Sequence, residues 1–140
     1  MHVLSLYEIR RGLLNREFSS LELTECYLRR IEKFQHLNAF ITVCADYALE
    51  RAQQSDRKIS AGNTRELEGI PMAIKDLFLT KGIRTTAGSR MLDNFVPPYE
   101  STVTEKLHEA GAIFLGKTNM DEFAMGSANI TSYYGNVVNP

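Results

Sequence analysis

The sequence predicts an α/β protein in which amino-terminal helices pack on the start of a mixed β-sheet. Two observations carry that prediction. Helix-start signals with three-residue spacing recur at Ser5 and Glu8, Ser19 and Glu22, and Thr102 and Glu105, each pairing a hydroxyl with a carboxylate that can satisfy free backbone donors. Two short apolar runs, Ile70 to Ile74 and Ala112 to Leu115, flank the last of these helices. Strand, crossover helix and strand form a βαβ unit, whose strands pair in parallel.

In chain order, the first helix is expected over Leu6 to Leu14, with Leu6, Ile9 and Leu13 on one face and Asn15 as its stop. The second opens at Ser19 and repeats Leu23, Tyr27, Ile31 and Phe34 at helical intervals. Asn38 to Cys44 is rich in aromatic and β-branched residues and reads as a short strand. A third helix, capped near Asp46, presents Ala45, Ala48, Leu49 and Ala52 on a narrow small-residue face. The polar run Gln53 to Asn63 is expected to end it, leaving a covering element with little apolar area. The helical part thus spans residues 1–63, and a βαβ unit with a polar loop spans 67–140.

Ile70 to Ile74 reads as a strand buried on both faces. Thr80 to Ser89 has loop chemistry, and Pro97 and Pro98 stop any helix over Met91 to Val96. The helix from Thr102 ends at Gly111, and after the strand at Ala112 to Leu115 comes the polar stretch Gly116 to Glu122. Ligands of such sheets bind beyond the carboxyl ends of the strands. Here those ends carry Lys75 with Asp76 and Lys117 with Asn119.

Composition excludes several classes. The 140 residues are 44% hydrophobic and 24% charged, with formal net charge -1, so nothing draws nucleic acid directly and no run is long enough to span a bilayer. Residues 1–14 lack the uninterrupted apolar centre of a secretory signal, and a cytosolic location is expected. Cys26 and Cys44 form no CxxC pair, and His2, His36 and His108 are scattered, so no metal site is expected.

Lys75 is the leading chemical candidate. Entered from Met72, Ala73 and Ile74, it is expected to be partly desolvated, which disfavours its charged form and would let it act as a base toward a serine. The alternative is a charged, strand-ending lysine paired with Asp76 in water. Asp121 and Glu122 read as an acid-base pair or, more commonly, as acidic residues at a loop or helix start. Ser127, Thr131 and Ser132 read as turn formers. Gly111, Gly116, Lys117 and Thr118 match GxxxxGK[ST] letter by letter, but Gly111 closes a helix and the residues between the glycines are strand-like, so a phosphate loop is rejected.

The stretch Leu67-Glu68-Gly69-Ile70-Pro71-Met72-Ala73-Ile74-Lys75-Asp76, then Thr80-Lys81-Gly82-Ile83-Arg84-Thr85-Thr86, then Leu115 through Ser127, closely resembles the amidase signature family. The likeness extends to Asn139-Pro140. It implies an incomplete amidase signature fold, with residues 1–140 forming the amino-terminal part of one amidase domain, and a Ser-cisSer-Lys triad whose lysine falls on Lys75. The family carries both serines on a Gly-Gly-Ser-Ser-Gly-Gly-Ser segment that these 140 residues do not contain, so this chain alone is expected to lack hydrolytic turnover. It implies that Ala124, Met125 and Gly126 lie on the substrate side. Ala128, Ile130 and Asn136 stand where many members have Ser, Glu and Pro.

Within the family the likeness is to a branch that hydrolyses glutamine and delivers ammonia to a tRNA-dependent amidotransferase. The implied partners are its subunits B and C. ATP and Mg²⁺ would be used by the B subunit to activate Glu-tRNA(Gln), with no cofactor in this chain. Two other readings remain open: an amidase acting on small aliphatic or aryl amides, and a non-catalytic remnant that binds partner subunits. An isolated piece of this kind is expected to aggregate through unpaired strand edges.

Overall fold

The computed structural model describes residues 3–140; His2, one of the scattered histidines, lies outside the described residues. The elements, in order, are α1 (Leu6–Asn15), α2 (Ser20–Lys33), β1 (Phe40–Val43), α3 (Ala45–Ser60), β2 (Pro71–Lys75), α4 (Thr102–Ala110) and β3 (Ile113–Thr118), with single 3-10 turns between some of them. The sheet order is β1-β3-β2. β1 runs antiparallel to β3, pairing Thr42 with Lys117 and Val43 with Gly116. The Ile113 amide donates to the Ile70 carbonyl at 2.9 Å and the Asp76 amide to the Thr118 carbonyl at 3.1 Å. Residue numbers therefore rise together along β2 and β3, and this pair is parallel. The result is a mixed α/β arrangement, as the sequence predicts.

Two of the three helix starts form as read. The Ser5 hydroxyl accepts from the Glu8 amide while the Glu8 carboxylate accepts from the Ser5 amide at 2.7 Å. Ser19 and Glu22 repeat the arrangement at 3.0 and 2.8 Å. The third is displaced by one residue: α4 is capped by Ser101, whose hydroxyl accepts from the Thr104 amide at 3.3 Å. Thr104 is fully buried and binds the Leu79 carbonyl at 2.8 Å, so tertiary packing fixes where this helix starts.

Two compact units share the chain. The first takes in the chain up to Lys33, Ala45–Met72 and Lys106–Leu115. One of its apolar clusters joins Ile9, Leu13, Leu23, Ile59 and Ile70. A second joins Ala48, Ala52, Ile113 and Leu115, with Tyr27 and Ile31 against them. Leu23 is fully buried, a placement that stabilises by about 1.5–3 kcal/mol.

The third helix departs from its sequence reading. It continues through the polar run to Ser60, and Ala48, Ala52, Ser55 and Ile59 are buried along one stripe. It is a core helix. The polar residues expected to end it make tertiary bonds instead: Asp56 accepts from the Ser20 amide at 2.7 Å and the Leu21 amide at 3.1 Å, satisfying free donors at the start of α2. Ser55 donates to Glu68 at 2.7 Å. Burial raises the Glu68 carboxyl, but the Arg65 guanidinium at 2.5 Å, with Ser55, outweighs it and leaves the group below its ordinary value.

The second unit comprises Phe34–Cys44, Ala73–Glu105 and Gly116–Pro140. Its long connection is coil, as expected from Thr80 to Ser89, yet Thr80, Thr85, Thr86 and Ser89 are at most 1% exposed. Their hydroxyls are satisfied internally. β3 is longer than the apolar run suggested and includes Gly116, Lys117 and Thr118. Gly116 is required by close approach, because a Cβ there would lie 2.3 Å from the Thr42 carbonyl oxygen of β1.

Candidate active site

β2 alternates. Ile74 and Asp76 are buried, whereas Ala73 and Lys75 are exposed. A strand with a period of two sends neighbours to opposite faces, and β2 lies at an edge of the three-stranded sheet, so the expectation of burial on both faces fails. The expected partial desolvation of Lys75 is likewise not supplied by these residues. Asp76 cannot serve as its solvent-exposed partner, because that carboxylate is turned inward and fully buried.

Its partner is Lys117, also fully buried, with Nζ 3.5 Å from Asp76 Oδ1. Lys117 Nζ donates to the Phe78 carbonyl at 2.8 Å and to Thr85 Oγ1 at 2.7 Å. Thr85 Oγ1 passes its own hydrogen to the Ile83 carbonyl at 3.0 Å. Asp76 Oδ2 accepts from the Thr86 amide at 2.9 Å and the Thr86 hydroxyl at 2.5 Å. Burial pushes the Lys117 ammonium below the usual lysine value, and the charge of Asp76 opposes that shift only in part. The residue that sequence reading placed in a polar loop is thus the sealed lysine of this unit, and the one expected to be sheltered is open.

Lys75 lines an open concavity of about 670 Å³ together with Ala39, Asn119, Ala124, Gly126 and Asn129. Asn139 and Pro140 border the same space. Of the three substrate-side candidates, Ala124 and Gly126 face the concavity with Lys75. Met125 is 82% exposed and lies outside this lining.

Asp121 shapes that wall. Its carboxylate accepts from the amides of Asn129 (2.8 Å), Ile130 (2.8 Å) and Thr131 (3.0 Å) and from the Thr131 hydroxyl at 2.9 Å. The Thr131 amide leads these donors, which hold its pKa down to about 2. Asp121 therefore organises the loop through these bonds rather than through a helix dipole, and Thr131 closes the turn with it. Ser132 donates to Asn119 Oδ1 at 2.6 Å. The Asn119 amide group spans the carbonyls of Asn38 and Gly135, each at 3.0 Å. Phe123 and Ala124 have φ of 52° and 60°, an uncommon conformation for side-chain-bearing residues.

Sequence reasoning missed Asn129 and the Asp76–Lys117 pair. Asn129 Oδ1 accepts from the Val137 amide at 2.6 Å, while its buried Nδ2 has no protein partner. The pair had one local signal. Placing Ile74 on the buried face puts Asp76 there too, and a buried carboxylate demands a cation or several donors.

Lys75 is thus exposed at the end of β2 and lines one concavity with the loop that Asp121 holds. The Amidase family model matches residues 22–140, and the chain belongs to that family. It is 57% identical over 137 residues to the A subunit of glutamyl-tRNA(Gln) amidotransferase from Hahella chejuensis, covering 97% of this chain and 28% of that protein. Among solved structures, native peptide amidase from Stenotrophomonas maltophilia matches with a TM-score of 0.85 at 32% identity, over 95% of this chain and 29% of that one. The A subunit of glutamyl-tRNA(Gln) amidotransferase from Thermotoga maritima matches with a TM-score of 0.68 at 34% identity, over 86% of this chain and 24% of that one. The chain thus spans under a third of the length of these relatives. Among the described residues, no helix is long and apolar enough to cross a membrane.

Proposed function

We propose that these residues form the lysine-bearing wall of the glutaminase site in the A subunit of a glutamyl-tRNA(Gln) amidotransferase. The observation that carries this reading is that Lys75 shares one concavity with Ala124 and Gly126. In this reading Lys75 is the base of a Ser-cisSer-Lys triad whose serines come from polypeptide outside these 140 residues. Neutral Lys75 takes a proton relayed from the nucleophilic serine through the bridging one. The serine attacks the side-chain amide of glutamine, the C–N bond breaks as the nitrogen takes the relayed proton and leaves as ammonia, and water then releases glutamate from the acyl-serine. In this reading the polypeptide that carries the serines also closes over Lys75.

The identity to the Hahella chejuensis protein supports glutamine as acyl donor, and with it subunits B and C as partners. ATP and Mg²⁺ belong to the B subunit in this reading, where they activate Glu-tRNA(Gln) to receive the ammonia. The work is cytosolic.

The test is ammonia release from glutamine by the full-length protein assembled with subunits B and C. Lys75→Ala is expected to lower kcat by about 10²–10⁴-fold, the range for a general base; retained activity overturns the assignment. Residues 1–140 alone are expected to hydrolyse no glutamine, and turnover by them would place the nucleophile here. The likeness to peptide amidase favours a second reading, an amidase that needs no partner. Ammonia release from small amides by the full-length chain alone would select it.

A further inference from the structure

Lys75 projects into solvent, so its reach is set by the backbone that carries it. Its carbonyl accepts from the Phe78 amide at 3.0 Å, closing the turn that ends β2. The Phe78 carbonyl in turn accepts from Lys117 Nζ at 2.8 Å. On the residue next to Lys75, the Asp76 amide is bound to the Thr118 carbonyl at 3.1 Å, and the Asp76 carbonyl accepts from the Ala87 amide at 3.1 Å. The Asp76 side chain holds Thr86 through two bonds and faces Lys117 at 3.5 Å. One ammonium, on the strand beside β2, therefore grips the turn after Lys75, the side chain next to Lys75 and the 85–86 segment together.

We infer that Lys117 is a positioning residue for Lys75, with Asp76 and Thr85 as the groups through which it acts. The inference rests on the proposed role of Lys75 as base, and Lys117 itself touches no substrate. A sealed ion pair costs desolvation and stabilises little net of that cost, but it specifies one arrangement of the groups that solvate it. Here those groups are the turn carbonyl of Phe78 and the hydroxyl of Thr85. A lysine that must meet a hydroxyl within hydrogen-bond reach tolerates little drift, and a displacement of about 1 Å costs on the order of 100-fold in rate.

The experiment uses full-length protein with its partner subunits and compares wild type, Lys75→Ala, Thr85→Val and the double variant Asp76→Asn with Lys117→Met. The double variant removes both charges, so neither is left buried alone, and the introduced side-chain amide keeps an acceptor oxygen for Thr86. Thermal unfolding reports the fold, and kcat and KM for glutamine report the site. Positioning predicts a folded double variant with kcat lower by about 100-fold and KM unchanged, and Thr85→Val lower in kcat by a smaller factor, also at unchanged KM. A folded double variant with wild-type kcat overturns the inference. If the double variant does not fold, Thr85→Val decides alone, unchanged kcat overturning and reduced kcat at constant KM supporting. Activity retained by Lys75→Ala would overturn the base assignment and the positioning role with it. An inactive Lys75→Ala beside a fully active double variant overturns positioning only.

Discussion

Two lysines stand at the ends of neighbouring parallel strands, and the molecule treats them in opposite ways. Around Lys117 everything is sealed: the ammonium, the Asp76 carboxylate and the Thr85 and Thr86 hydroxyls are all at most 1% exposed. Lys75 by contrast is exposed, and the wall of its concavity includes a loop held by Asp121 through backbone amides. The sealed region joins residues distant in sequence through side-chain charge, whereas the open one joins residues 121 to 131 through main-chain donors. The contrast teaches that burial in this fold marks the scaffold, and that the reactive candidate is left reachable.

The comparison is broken most directly at its sealed end. Lys117→Met alone leaves the Asp76 carboxylate buried without its cation and should destabilise the full-length protein by about 3–5 kcal/mol in denaturant unfolding. Losing much less would mean that Lys117 is not what compensates the buried Asp76 carboxylate. Gly116→Ala comes next, since its Cβ would meet the Thr42 carbonyl at 2.3 Å. The cost expected for such overpacking is about 1–3 kcal/mol, and faster amide exchange in β1 should accompany it.

At the open end the effects are smaller and local. The Asp121 pKa is depressed from 3.8 to about 2, so its contribution is fully present above 3.8 and is lost as pH falls through about 2. Protection at the Asn129, Ile130 and Thr131 amides, taken relative to unstructured-peptide exchange at the same pH, should hold down to pH near 3 and fall below about 2. Asp121→Asn should lower it at neutral pH as well; unchanged protection would show that the loop holds without the carboxylate. Lys75→Ala should change stability least, within about 0.5 kcal/mol, as for other exposed positions. A larger loss would move Lys75 into the scaffold and erase the contrast.

Legibility followed the range of the interaction. The Ser5–Glu8 and Ser19–Glu22 caps close over three residues, and both form as read. The βαβ order came from two apolar runs around one helix, and β2 and β3 do lie side by side. Ser101 displaced Thr102 as a cap because Thr104 is drawn inward to the Leu79 carbonyl. α3 was read as too short and too peripheral because Ser55 and Asp56 look like solvent-facing residues until Glu68 and the start of α2 are placed beside them. Ala124 and Gly126 were found with Lys75, while Met125 turned outward.

By itself the sequence determined the starts of α1 and α2, the strand-helix-strand order and the motifs from Gly69 to Asp76 and from Gly116 to Ser127 that place the chain in the amidase family. These are written in neighbouring residues, where backbone geometry converts spacing into structure. Only the tertiary structure decided which lysine is enclosed and which is open, because a charge enters the interior only where a counter-charge and donors converge on it. Asp76 and Thr85 reach Lys117 from far along the chain, and the local alternation that turns Asp76 inward does not say which cation meets it.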